Sequence, residues 1–506
     1  MNVLLVNVPS RRGKGGCYLP LGLLYVGAII ERCGHKVRIF DPYIHDVELG
    51  EGWTEGIEGM IDKFGPLIVG FGGIATSYGR TKRLSALVKK QYPGILQIAG
   101  GALSSVSDLL LTKTSVDVVF HGETEVSLPQ FLEVFEKKNS LEKVQGISYL
   151  AGTRLVSTPP AEQIEDLDKI PFPAYHLVEL EQYFGDITDW LAVYNINFET
   201  NLLRANILAR LGGRKHHVSI VSSRGCTHRC LFCFRHMKGH RQHSVAYIIN
   251  HIKFLKNLYG VEGFQFGDEL FNANRSWVME FCDAIERENI NIFYIIGGAR
   301  VDMIDEKMLI RLKETGCIEI GYGQESGSDS ILKEYRKGVC SRQNKDITLL
   351  TTKTVGIHSP VQLVIGSPGE TNQTIYETIQ LLKDVEAYRY SLNYLIPLPG
   401  TPIWQYITEN KLIKNVEEYL DHVSEYGGTP LLNLNLTKMP DRIWKNWHYV
   451  IRKELEIYYC KKRDLRFRLV YRLIFLTVLP FMPRWFKSFV KQVISLRKGE
   501  KGKLIV

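Results

Sequence analysis

The chain has 506 residues, 45% hydrophobic and 23% charged, too long for one core and ordinary for two or three globular domains. Its net charge of +9 is uneven: from Lys461 onward there are 13 Lys/Arg against 2 Asp/Glu, so the rest of the chain is slightly acidic. That distribution argues against nucleic acid as a partner, because no basic groove crosses the body of the protein. The nine cysteines form no disulfide-like framework, and Met1 leads into a strand without a secretory leader. A reducing cytoplasm is the expected compartment.

In chain order, residues 1–145 alternate short apolar strands with helices. Strands are expected at Val3–Val8, Lys36–Phe40, Leu67–Gly73, Leu96–Ala99 and Val116–Phe120. Helices fit at Leu21–Arg32, Arg80–Lys90 and Leu128–Lys137. This is the pattern of a Rossmann-like parallel sheet, with glycines at several strand ends where ligands bind in open α/β sheets. Residues 146–216, with Pro159-Pro160 and Pro171-Phe-Pro173, read as a linker with a helix near Thr200–Leu211.

From residue 217 to about 400 a second alternation places strands at Val218–Ser222, Gly263–Phe266, Ile292–Ile296, Cys317–Tyr322, Val361–Ile365 and Leu392–Ile396. Six β/α units are too few for a closed eight-stranded barrel, so a partial barrel is expected. Residues 401–506 read as helices followed by a basic tail. In that tail Leu473–Met482 is apolar, flanked by arginines and by Trp485 and Phe486. It is too short, and too broken by Pro480, to span a bilayer. It is expected either to lie at an anionic membrane face or to pack on the barrel with a disordered end.

The densest chemical signal is Cys226-Thr-His-Arg-Cys230-Leu-Phe-Cys233. Three thiolates on one loop can hold three irons of a cubane, leaving the fourth open to another ligand. Zinc is the alternative, with His228, His236 or His240 as a fourth ligand. The 3-then-2 spacing is unlike paired zinc knuckles, and the motif follows a strand and Gly225 as an active-site loop should.

CxxxCxxC with Phe232 before the last cysteine resembles the signature of the radical S-adenosylmethionine superfamily. The resemblance implies a 4Fe-4S cluster on Cys226, Cys230 and Cys233, S-adenosylmethionine on the open iron, and reductive cleavage to a 5′-deoxyadenosyl radical. It also implies S-adenosylmethionine contacts from Phe232, from Gly267, Asp268 and Glu269, from Gln324, Glu325 and Ser326, and from Gly366. Asp268 stands where the family has a second Gly, which leaves open whether Asp268 or Glu269 meets the methionine ammonium. Thr371, beyond Gly366, is equally a helix N-cap. Arg300 is either an active-site group or an ion-pair member.

The N-terminal domain is similar to the cobalamin-binding domain fused to many of these enzymes. The similarity implies cobalamin contacts from Leu21, Gly22, Gly73, Thr76, Ser77, Gly100, Gly101, Gly122 and Glu123. The Asp-x-His-x-x-Gly motif that supplies a cobalt-ligating His is absent, so base-off cobalamin without a His ligand is expected. His35 and His45 read as surface residues, and Cys17 as a candidate near the lower face. Cys282 and Cys317 read as core, and Cys340 as a buried thiol.

The leading expectation is a cobalamin-dependent methyltransferase acting on an unactivated carbon of a small-molecule or lipid-linked substrate, fed electrons by a flavodoxin or ferredoxin. The alternatives are an oxidative cyclase or ring-rearranging enzyme with the same cofactors, and a non-catalytic redox or cobalamin-sensing module. A methylthiotransferase is disfavoured, because the N-terminal domain lacks a second cysteine triplet.

Overall fold

The structure, a computed structural model, describes residues 1–10, 19–44, 52–188, 207–235, 237–387, 389–432 and 434–462. Cys17, His45, most of the helix expected at Thr200–Leu211 and all but the first two residues of the tail lie outside them.

Seven strands form the first sheet, in the order β2-β1-β3-β4-β5-β6-β7. β1 (Asn2–Asn7), β2 (Lys36–Phe40), β3 (Ile68–Gly72), β4 (Leu96–Gly100) and β5 (Val118–Phe120) are parallel. Their near-continuous apolar runs, such as buried Val3 to Val6, fit strands covered on both faces. The helix Leu21–Arg32 covers one face and Tyr78–Gln91 the other. β6 (Ile147–Ala151) and β7 (Arg154–Ser157) add an antiparallel hairpin from the stretch expected to be linker, so Val116–Phe120 does not supply the last strand. Positive-φ Gly152 makes the tight turn that the alternation β-pattern did not reveal.

The second sheet runs β16-β15-β14-β13-β12-β9-β8. β9 (His216–Ile220), β12 (Gly263–Phe266), β13 (Phe293–Ala299), β14 (Cys317–Glu325), β15 (Val361–Ile365) and β16 (Tyr390–Tyr394) are the six parallel strands of a partial barrel. β8 (Gly185–Asp186) caps the edge antiparallel to β9. Two further strands, β10 (Ser223–Gly225) and β11 (His240–Gln242), form a separate antiparallel hairpin.

One apolar core runs from the first sheet through buried Tyr175 of the connecting stretch into the barrel. The Tyr175 hydroxyl meets His251 Nε2 at 2.9 Å, satisfying a buried polar group at this seam. After β16 the chain recrosses: the helix Val416–Tyr426, N-capped by Asn415, buries Tyr419, Leu420 and Val423 in the core of the first sheet. Each such side chain contributes about 2 kcal/mol to holding the two halves together. Glu417 there accepts from the Tyr78 hydroxyl at 2.5 Å and from Lys82 Nζ at 2.7 Å. The final helix, Trp447–Lys462, returns to pack on Asn372–Asp384 of the barrel.

Cys282 and Cys317 are fully buried core residues, as expected, whereas Cys340 is only partly buried at the start of the helix Ser341–Leu349. His35 departs from expectation: it is buried, with Nδ1 3.6 Å from Glu136. Its Nδ1 also meets the Met1 amino group at 3.3 Å. No described helix is long and apolar enough to cross a membrane.

Candidate active site between the two sheets

The β10–β11 hairpin brackets residues 226–239 and so carries all three motif cysteines on its loop. Gly225 enters that loop at φ +82°, and a Cβ there would lie 2.3 Å from the Gly239 carbonyl oxygen, so only glycine fits. The loop is pinned at Leu231 in both directions. Its N–H donates to the Tyr335 carbonyl at 3.0 Å, and its carbonyl accepts from the Ile403 N–H at 2.9 Å. Phe232 packs edge-to-face on Tyr335, ring centroids 5.2 Å apart.

Cys230 is buried, Cys226 half-buried and Cys233 exposed. A hydrogen bond from Cys233 holds the Cys230 thiol below its ordinary range, aided by the Lys337 ammonium, while burial pushes Cys226 up. Among the described residues, no three His, Cys, Asp or Glu side chains close around a single-ion position. The donor set is three soft thiols on one loop with a buried cation nearby, which fits a thiolate-bound cluster.

Around the loop stand the strand-end segments. Asp268 is turned away: its Oδ1 accepts from the Ser222 N–H and from both the Ser222 and Ser223 hydroxyls, and burial raises its pKa to about 6. Glu269 instead opens onto the cavity described below, so of the two acids it is the one placed to meet a ligand. Burial pushes Glu269 up, against the opposing charge of Arg235. Glu325, in left-handed backbone at φ +63°, is buried with its carboxylate 2.9 Å from Lys337 Nζ. Gln324 is spent on the barrel wall, accepting from the Gln362 N–H and donating to Thr348, and Ser326 bonds the Thr378 hydroxyl. Gly366 donates its N–H to buried Glu370, and Thr371 caps the helix Asn372–Asp384. Arg300 is an ion-pair member: it grips Asp302 with two 2.8 Å bonds and donates to the Lys337 carbonyl at 2.7 Å.

A cavity of about 500 Å³ lies where the carboxyl ends of the first sheet face the barrel mouth. From the first half it takes Leu21, Gly22, Gly73, Gly100, Gly101, Gly122 and Glu123; from the barrel half it takes Arg224, Gly225, Met237, Gly267 and Glu269. At Gly22 and Gly122 an added Cβ meets no atom within 4 Å, so the bare backbone there is cradle rather than packing. Such a glycine-floored, largely apolar hollow fits the edge of a corrin ring. Thr76 and Ser77 do not line it. Ser77 donates to the Val8 carbonyl at 2.9 Å, and the Thr76 hydroxyl is buried without a partner. Glu123 lines it, but both its oxygens are held by Arg241 at 2.9 and 2.6 Å, with Arg224 at 3.1 Å. Burial pushes the Glu123 carboxyl up, and the bonds from Arg241 and Arg224 outweigh it, so the net shift is downward.

Sequence reasoning missed Lys337, Arg224, Arg241 and Tyr25. Only Arg224, immediately before Gly225 and the cysteine motif, carried a local signal.

Residues 220–382 match the family model described as the Radical SAM superfamily, and residues 14–132 match the B12 binding domain. An uncharacterized methyltransferase, PH0819, of Pyrococcus horikoshii is 27% identical over 82% of this chain and 84% of its own. An anaerobic magnesium-protoporphyrin IX monomethyl ester cyclase of Synechocystis is 28% identical over 67% of this chain and 64% of its own. Among solved structures, the fold is similar to the cobalamin-dependent S-adenosylmethionine radical enzyme OxsB (TM-score 0.67, 16% identity, 98% of this chain and 75% of that one). It is also similar to the radical S-adenosylmethionine methyltransferase TsrM of Kitasatospora setae (TM-score 0.64, 18% identity, 81% and 76%). The radical SAM domain implies a 4Fe-4S cluster and S-adenosylmethionine, and the B12-binding domain implies cobalamin. With a cobalamin domain built on the first sheet and a radical barrel on the second, the chain belongs to the cobalamin-binding radical SAM family.

Proposed function

We propose that this radical SAM enzyme methylates an unactivated carbon of a small-molecule or lipid-linked substrate. The observation that carries the reading is the single cavity walled by both halves, with Gly22, Gly100 and Gly122 on one side and Gly267 and Glu269 on the other. When bound, the cluster and S-adenosylmethionine supply a hydrogen-abstracting carbon radical, and cobalamin supplies a transferable methyl group. A substrate would bind where the two halves meet, between the residues that would hold the two cofactors.

Cys226, Cys230 and Cys233 hold the cluster. Glu269 would take the ammonium of S-adenosylmethionine and Glu325 its ribose hydroxyls, Lys337 bonding the Glu325 carboxylate at 2.9 Å. Leu21, Gly22, Gly73, Gly100, Gly101 and Gly122 cradle the corrin edge. Cobalamin binds base-off, without a protein His. A flavodoxin or ferredoxin supplies the electron.

The name of the Pyrococcus relative supports methyl transfer. The Synechocystis relative's name supports a second reading, oxidative cyclisation with the same cofactors. Anaerobic turnover with labelled S-adenosylmethionine and mass spectrometry of the product separates them. A product heavier by one labelled methyl group is expected, and a product without methyl gain, formed together with 5′-deoxyadenosine, sinks the methyl-transfer reading.

A further inference from the structure

Arg224 and Arg241 are directly paired across the hairpin that carries the cysteines. Like charges in that position repel, and a hairpin of three residue pairs is marginal alone. The charge balance comes from the other half of the protein. Glu123 and Glu125, just past the end of β5, meet Arg224 at 3.1 and 2.7 Å, and Glu123 meets Arg241 at 2.6 Å. The side chains are between 5% and 12% exposed, so two buried cations face two buried anions. Removing one member leaves an uncompensated buried charge. Arg241 also donates to the Ile164 carbonyl at 2.5 Å, tying in the connecting stretch.

The same acidic segment borders the cavity. Gly122, Glu123, Thr124 and Glu125 line it together with Arg224, so the carboxylate–arginine cluster stands at the cavity wall. Tyr25 offers a second link. Its ring lies against the Arg224 guanidinium, 5.1 Å to the centroid; it lines the cavity, and its hydroxyl is buried without a partner. Oε2 of Glu125 is likewise buried and unpartnered.

We propose that Glu123 and Glu125 are positioning residues for the cysteine hairpin, acting through Arg241 and Arg224, so that filling of the cavity by cobalamin changes the surroundings of the cluster. The Gly122–Glu125 segment lines the cavity while its carboxylates hold the two arginines, and the cysteine loop begins at Cys226, immediately after the Gly225–His240 pair that closes the hairpin. The inference rests on the cofactor reading above.

The test uses the full chain reconstituted anaerobically with iron and sulfide, with and without hydroxocobalamin, reading the electron paramagnetic resonance spectrum of the dithionite-reduced cluster. In the unmutated protein the two cluster signals differ once the signal of the cob(II)alamin that dithionite also produces is subtracted. In Glu123→Gln, in Arg241→Gln and in the double variant they coincide, the double being no different from either single. A full-sized cobalamin-dependent change in Glu123→Gln, or none in the unmutated protein when both cofactors are bound, overturns the inference. Failure of the unmutated protein to take up iron or cobalamin overturns the cofactor reading instead. If Glu123→Gln does not fold by circular dichroism, Arg241→Lys decides: a point charge without the bidentate fork gives a reduced change, and a full change again overturns the inference.

Discussion

Lys337 Nζ lies 2.9 Å from Glu325 Oε1, a buried pair beside the cysteine loop, the Lys337 ammonium also favouring the Cys230 thiolate. Both side chains are about nine-tenths buried. Glu325 and burial act oppositely on Lys337, and the net shift of its pKa is upward. A raised lysine pKa adds stability that is complete below the unfolded value and lost only as pH climbs past the folded one. The pair is therefore at full strength at neutral pH. Lys337→Met leaves Glu325 unpaired and costs about 3 kcal/mol in urea unfolding, most of it recovered in the Glu325→Gln/Lys337→Met double variant.

Alanine at any one of Cys226, Cys230 or Cys233 removes a third of the protein's ligands to the cluster. Iron content and the broad visible absorbance of the reconstituted protein are expected to fall to background in each variant. Cys282→Ala, in the barrel core beside Thr315, retains both.

Gly22 offers a way to close the cavity without strain. It sits in the first turn of the helix Leu21–Arg32, and a Cβ there meets nothing within 4 Å. Gly22→Leu is expected to raise helix stability by up to about 1 kcal/mol while blocking cobalamin uptake, measured by absorbance after desalting. Unimpaired uptake places the corrin elsewhere.

Glu370 is fully buried, and burial raises its pKa to about 8 even though it accepts the Gly366 and Ser367 N–H groups. Between the unfolded value near 4 and about 8 the native state holds a proton that the unfolded chain has lost. Stability contributed here falls as pH rises through that window, by up to about 1.4 kcal/mol per pH unit. Glu370→Gln keeps the carbonyl acceptor and loses the titration. The melting temperature of Glu370→Gln relative to the unmutated protein should therefore rise steadily from pH 5 to pH 8; a constant difference contradicts this.

Local pattern carried much of the fold. Lys36–Phe40, Gly263–Phe266, Val361–Ile365 and the helix Leu21–Arg32 lie where their apolar periodicity puts them. Pairings that depend on distant chain were not legible. β6 and β7 are short and half-polar, and β10 and β11 gain their structure from Glu123 and Glu125 a hundred residues away. The site was legible as segments but not as directions. Sequence placed Asp268 and Glu269 side by side without showing that Ser222 and Ser223 draw one of them inward. It placed Thr76 and Ser77 at a strand end without showing that the Val8 carbonyl claims one of them.

The helix Val416–Tyr426 lies so close on the first half that a Cβ at Gly79 would fall 1.7 Å from Asp421 Oδ1. The chain that reaches it leaves the barrel past the cysteine loop, at Ile403, and afterwards returns to the barrel. On the ribosome the first sheet and the barrel strands emerge in turn, and this strap follows them. The core of the first sheet, although its own strands are made first, is therefore covered by Tyr419, Leu420 and Val423 only after the barrel strands have been synthesised.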